Sequence, residues 1–99
     1  MEEELIYTIS TVLFLAGIVT VLTRTNAILL LIGVEMILAA SNINFVAFSN
    51  YYGVGEGKIF ALFVIIIAAC EAAVALAIIV KMYKYYKTLD LNEVNHLKG

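Results

Sequence analysis

Charge is what this sequence has least of. Only 14% of its 99 residues are charged, against 64% hydrophobic, and the mean hydropathy is +1.02. Soluble globular chains carry about 25% charged residues, so this one has too little polar surface to stand in water as a monomer, and it is too apolar for a disordered tail. Six basic residues against eight acids leave a net charge of −2, which argues against a nucleic-acid partner. The single cysteine excludes an internal disulfide and any cysteine-based metal or iron–sulfur set within the chain. Proline and tryptophan are absent. The one histidine, His96, lies in a polar tail and reads as a surface residue, so the chain alone cannot ligate a haem through two histidines. What survives is an integral membrane protein of a single small domain over residues 1–99.

Three apolar runs are present: Leu5 to Leu22, Ala27 to Phe48 and Ile59 to Val80. Each is long enough to cross a hydrocarbon core of about 30 Å as a helix. Lipid-exposed open sheet edges are forbidden by their unpaired backbone groups, so the expected fold is all-α with three transmembrane helices. Glu2, Glu3 and Glu4 precede the first run, the opposite of the basic start of a removable signal. Arg24, Lys81, Lys84 and Lys87 fall on one side of the membrane, while Glu2–Glu4, Glu56 and Lys58 fall on the other. The positive-inside rule therefore puts the N-terminus outside and the C-terminus inside. Tyr7, Tyr51 and Tyr52 near one boundary and Tyr83, Tyr85 and Tyr86 near the other suit the headgroup level. The polar stretch 81–99 is expected on the inner side, with Thr88 to Gly99 in the aqueous phase. The segment Gly53 to Lys58 is glycine-rich but follows no strand and has the wrong spacing for a phosphate loop, so it reads as a flexible connector.

Glu35 and Glu71 each interrupt the middle of an apolar run. An acid there costs about 2.5–3.5 kcal/mol on insertion scales, and the flanking Ile32, Val34, Met36, Ala69, Cys70 and Ala72 offer no compensation. The second helix enters from the inner side at Ala27, which puts Glu35 roughly 12 Å along it. The third leaves near Val80, which puts Glu71 roughly 13 Å from the same surface. Two antiparallel helices thus carry their acids at nearly one depth. No lysine, arginine or histidine lies in any run, so each carboxyl is neutral, hydrated or paired with a cation of another chain. Carboxyls so placed are suited to carrying protons. Asn42, two turns beyond Glu35, is the expected polar neighbour through water, whereas Ser41 and Asn44 point elsewhere. Cys70 has no basic neighbour to activate it and reads as a packing residue. Ala69, Ala73 and Ala77 form a small-residue ridge on the face away from Glu71, suited to close helix packing. Three helices cannot shield two acids on all sides, so a larger assembly is expected. Lys81, Lys84 and Lys87 read as topology determinants that also meet anionic headgroups.

Arg24-Thr25-Asn26, Leu31-Ile32-Gly33-Val34-Glu35-Met36, Ala68-Ala69-Cys70-Glu71-Ala72-Ala73 and the tail from Asp90 to Gly99 together resemble the small K-type subunit of respiratory complex I, the counterpart of mitochondrial chain 4L. The resemblance implies a non-redox subunit in the membrane arm of a proton-translocating NADH:quinone oxidoreductase, between the quinone-proximal and antiporter-like subunits. It implies proton transfer through Glu35 and Glu71, with Arg24 supporting uptake or positioning the inner loop. Quinone, flavin and iron–sulfur clusters then belong to partner subunits, and this chain holds no cofactor. The expected location is a bacterial plasma membrane or an organellar energy-converting membrane. Two positions depart from the pattern: Thr25 stands where some members of that family have a second basic residue, and Ala75 where a glycine is common. Two other readings stay open, the small subunit of a multisubunit cation/proton antiporter and a structural scaffold whose protonated acids only fasten helices. A rotary-ring proteolipid, a two-helix hairpin with one acid, fits less well.

Overall fold

The computed structural model describes residues 2–98; Gly99, the end of the tail pattern, lies outside them. Four helices follow in order, α1 Glu2–Thr23, α2 Ala27–Tyr52, α3 Glu56–Tyr86 and the short α4 Leu91–Lys98. The first three are each long and apolar enough to cross a membrane. Within α1 the hydroxyls of Thr8, Thr11, Thr20 and Thr23 donate to the carbonyls one turn back, at 2.6–2.8 Å, so these polar groups are satisfied inside their own helix. Asn26 starts α2: its side-chain oxygen accepts from Ile28 N at 2.9 Å and Leu29 N at 3.3 Å. Gly53 ends it in the left-handed region, φ 67°, a conformation that costs glycine little.

The helices outrun the expected spans. α3 continues through Lys81 to Tyr86, and its 31 residues reach about 46 Å at helical rise, beyond the hydrocarbon core. The expected flexible connector is also corrected. Glu56, Gly57 and Lys58 form the first turn of α3, leaving Gly53, Val54 and Gly55 as the link. The reason is local packing. The Ser49 hydroxyl donates to the Val54 carbonyl, and Gly57 is pressed so closely on α2 that a Cβ there would stand 2.6 Å from Phe45 O and 2.7 Å from Ser49 Cβ.

α2 is the central helix, packed against α1 and α3 in a body of 53 × 24 × 16 Å. Its contact with α1 is backbone on backbone. A Cβ on Gly17 would stand 2.8 Å from both Gly33 O and Ile37 Cγ1. Farther along, the buried Ser10 hydroxyl shares its proton between Ala40 O at 3.0 Å and Asn44 Oδ1 at 2.8 Å. Ser41 donates to Ile37 O at 3.2 Å, so both Ser41 and Asn44 do turn to backbone or a neighbouring helix. Against α3, Phe45 meets Phe60 edge to face with centroids 5.0 Å apart. Buried Ala61 and Ile79, with half-buried Val64, Ala68, Ala72 and Ala75, form the stripe that faces α2. The Ala69–Ala73–Ala77 ridge is exposed and lies off that stripe.

The antiparallel order gathers Arg24, Lys81, Lys84 and Lys87 at one end and Glu2–Glu4, Glu56 and Lys58 at the other. At the basic end the tail turns back. Leu91 N–H donates to Thr25 O and Ala27 N–H to Leu89 O, both at 2.9 Å, forming an antiparallel bridge between Asn26 and Asp90.

Gly17→Val should force α1 off α2 and destabilise the chain by about 1–3 kcal/mol through overpacking. Thermal denaturation in detergent is expected to show a lower midpoint, with Leu15→Val at an exposed position of α1 left near wild type.

Candidate functional site

Glu35 and Glu71 line one groove between α2 and α3, about 300 Å³ in volume, together with Ala27, Leu30, Leu31, Val34, Ala75 and Ile79. The equal depth expected from counting is realised in the packing. Glu35 lies eight residues after Ala27, and Glu71 eight before Ile79. Ala27 and Ile79 face each other across the basic end of this groove. Glu35 also lies 14 residues before Ser49, and Glu71 the same 14 after Gly57, where the two helices touch. Contacts above and below the acids thus give one register, and it sets the two carboxyl-bearing turns level.

The walls of the groove are aliphatic. Glu35 is half-buried, while Glu71 is exposed and also borders a second groove, with Cys70, Val74, Ala75 and Ile78, on the outer side of α3. Ala75 touches both spaces, so the methyl that replaces the common glycine sits beside Glu71. Among the described residues no three histidine, cysteine, aspartate or glutamate side chains gather as a metal-binding group.

Asn42 is not in this groove. It lines a separate cavity of about 360 Å³ nearer the acidic end, with Ile6, Ala61 and Ile65 among its walls. Its Nδ2 donates to Ala61 O at 3.3 Å, fastening α2 to α3, and its Oδ1 is buried without a partner among the described residues. Arg24 is exposed in the turn between α1 and α2, at the basic end, and its backbone N–H donates to Thr20 O at 3.0 Å. The residues that sequence reasoning passed over are those that set the register. By sequence Gly57 reads as part of a connector, Ser49 falls just beyond the second apolar run, and Leu89 and Leu91 read as parts of an aqueous tail. A small residue in each helix where the two run closest was the available signal for the first pair; nothing in the sequence marked the second.

A family model described as NADH-ubiquinone/plastoquinone oxidoreductase chain 4L matches residues 5–99. The chain is similar to the NADH-quinone oxidoreductase subunit K of Chlorobaculum parvum, 55% identical over 91 residues, 92% of this chain and 87% of the relative. It is 54% identical over 91 residues to the subunit K of Chlorobaculum tepidum, 92% of this chain and 85% of the relative. The subunit K of Legionella pneumophila strain Corby is 47% identical over 87 residues, 88% of this chain and 84% of the relative.

The level placement of the acids predicts a cross-link. In a Cys70→Ser background, Glu35→Cys/Glu71→Cys should be bridged by a short bifunctional thiol reagent. Glu35→Cys/Leu76→Cys, whose second site lines the opposite face of α3, should stay unbridged on a mass shift assay.

Proposed function

The chain belongs to the chain 4L family of NADH-ubiquinone/plastoquinone oxidoreductases, and from that premise we propose that Glu35 and Glu71 are coupled proton carriers in the membrane arm of a proton-translocating NADH-quinone oxidoreductase. The observation that carries the proposal is the shared groove: two acids, level with each other, in an otherwise aliphatic channel between two membrane-spanning helices. Since an acid in such a place lowers membrane stability, its presence twice at one depth calls for a role that a leucine cannot fill.

The shared groove supports transfer from helix to helix. A proton passed between Glu35 and Glu71 moves in the plane of the membrane, from one helix to the next, and gains no depth. Uptake and release across the bilayer are then the work of groups on adjoining subunits. Glu71, exposed and bordering the outer groove of α3, is the member placed to meet an adjoining subunit. Other subunits of the complex are the partners of this chain, and its exposed apolar faces and alanine ridge suit helix contact with them.

One cysteine and one histidine cannot furnish the four-cysteine set of an iron–sulfur cluster. Flavin, iron–sulfur clusters and the reacting quinone are accordingly assigned to partner subunits, with this chain as a non-redox member. The match over residues 5–99 favours this reading over the antiporter one. Arg24 and the three lysines at the basic end support an inward orientation of that end, with the N-terminus outside, and the bacterial sources of the similar chains support a bacterial plasma membrane.

In membranes with the assembled complex, Glu71→Gln and Glu35→Gln should each lower quinone-coupled proton pumping at least about tenfold, the scale on which positioned proton-transfer groups act. Full pumping would leave the acids as helix fasteners, since a neutral amide still hydrogen-bonds. The orientation is checked separately. A membrane-impermeant thiol reagent should label Glu3→Cys from the outer side and Glu93→Cys from the inner side only.

A further inference from the structure

The chain leaves α3 at Lys87, which takes a left-handed conformation, φ 61°, uncommon for a residue other than glycine. Its N–H donates to Tyr83 O at 2.7 Å, so α3 ends at a defined point. The next residues run back across the start of α2. Two backbone bonds of 2.9 Å, Leu91 N to Thr25 O and Ala27 N to Leu89 O, bind this strap to the α1–α2 turn. Side chains fix its shape: the Thr88 hydroxyl donates to Glu93 Oε2 at 2.6 Å and accepts from Asp90 N at 3.1 Å, while Asp90 Oδ1 accepts from Asn92 N at 2.9 Å and starts α4.

The point of attachment gives the strap its consequence. Ala27 is 7% exposed and stands in the glutamate groove against Ile79. α2 packs along α3, fastened toward its far end by the Ser49–Gly57 contact and the Asn42–Ala61 bond, and its near end is tied by the strap to the segment leaving α3. We infer that residues 88–91 are a positioning strap for the glutamate pair, keeping Glu35 level with Glu71 and so setting how efficiently a proton passes between them. This rests on the proton-carrier reading of the two acids. With only two backbone bonds at the edge of the bilayer, the strap is a local contact that opens without unfolding the helices.

Leu91→Pro tests it in membranes containing the assembled oxidoreductase. Leu91 is the first residue of α4 after its cap, where proline is well tolerated, so the substitution deletes the donor to Thr25 and leaves α4 intact. Loss of one backbone hydrogen bond shifts strap closure about two- to tenfold toward open. The expected result is normal assembly and quinone reduction, with protons moved per quinone reduced falling by about a factor of two or more. A second variant supplies a reversible lock. Asn26 and Asp90 form the wide pair of an antiparallel bridge, with Cα atoms about 4.5 Å apart in such pairs, which a disulfide can span. In Asn26→Cys/Asp90→Cys the reduced protein should pump poorly, having lost both caps, and oxidation to the disulfide should restore the ratio. An unchanged ratio in assembled Leu91→Pro, the same ratio in the oxidised and reduced pair, or failure of the disulfide to form would overturn the inference. Should Leu91→Pro not assemble, the cysteine pair decides by the same outcomes. Glu71→Gln measured alongside separates the two levels. Lost pumping in Glu71→Gln with no effect of the strap variants refutes the strap alone, whereas normal pumping in Glu71→Gln removes the carrier reading and the strap inference with it.

Discussion

Close backbone approach between helices is the interaction on which this structure depends. In hydrocarbon there is no hydrophobic effect to press one helix on another, so packing relies on dispersion and on small residues that let backbones meet. The chain has two such places, Gly17 with Gly33 between α1 and α2, and Gly57 with Phe45 and Ser49 between α2 and α3. The second is the more consequential. A glycine in the first turn of α3 allows the helices to touch near the acidic end, and that contact sets the register 14 residues away on each helix, where the acids stand.

The same constraint explains how little of the chain is buried. Ala27, Ala40, Ala61 and Ile79 form its apolar core, and Ser10 and Ser49 are its buried polar residues. Many of the large side chains of the three spans are exposed on its outer faces. Such a chain positions groups for a larger machine. Its inward contacts are small residues at close approach, and its outward faces carry the alanine ridge, the basic end and the exposed Glu71.

The candidate site was legible in the sequence to the extent that it depends on cost and counting. Glu35 and Glu71 declared themselves because a carboxyl in an apolar run needs a reason, and their equal depth followed from helical rise. Asn42 was placed on the right helix, but its expected tie to Glu35 rested on angular position alone. Its side chain turns to the Ala61 carbonyl of α3 instead, because a buried amide takes the acceptor its own neighbour provides. The alanine ridge was likewise recognised as a packing surface, yet α3 meets α2 through a different stripe and leaves the ridge outside.

The sequence by itself determined that the chain has three helices long and apolar enough to cross a membrane, that two of them carry an acid at nearly the same helical rise from the basic end, and that one end is basic. Each of these follows from local quantities: hydropathy over a run, rise per residue, and charge at the ends of spans. Only the tertiary structure decided that the two acids share one groove, that the second half of the glycine-rich link is helix, and that the tail returns to the start of α2. Those facts depend on which faces meet and on backbone hydrogen bonds between distant segments, such as Thr25 with Leu91. Because every residue except proline offers the same N–H and C=O to such bonds, no pattern of side chains announces them.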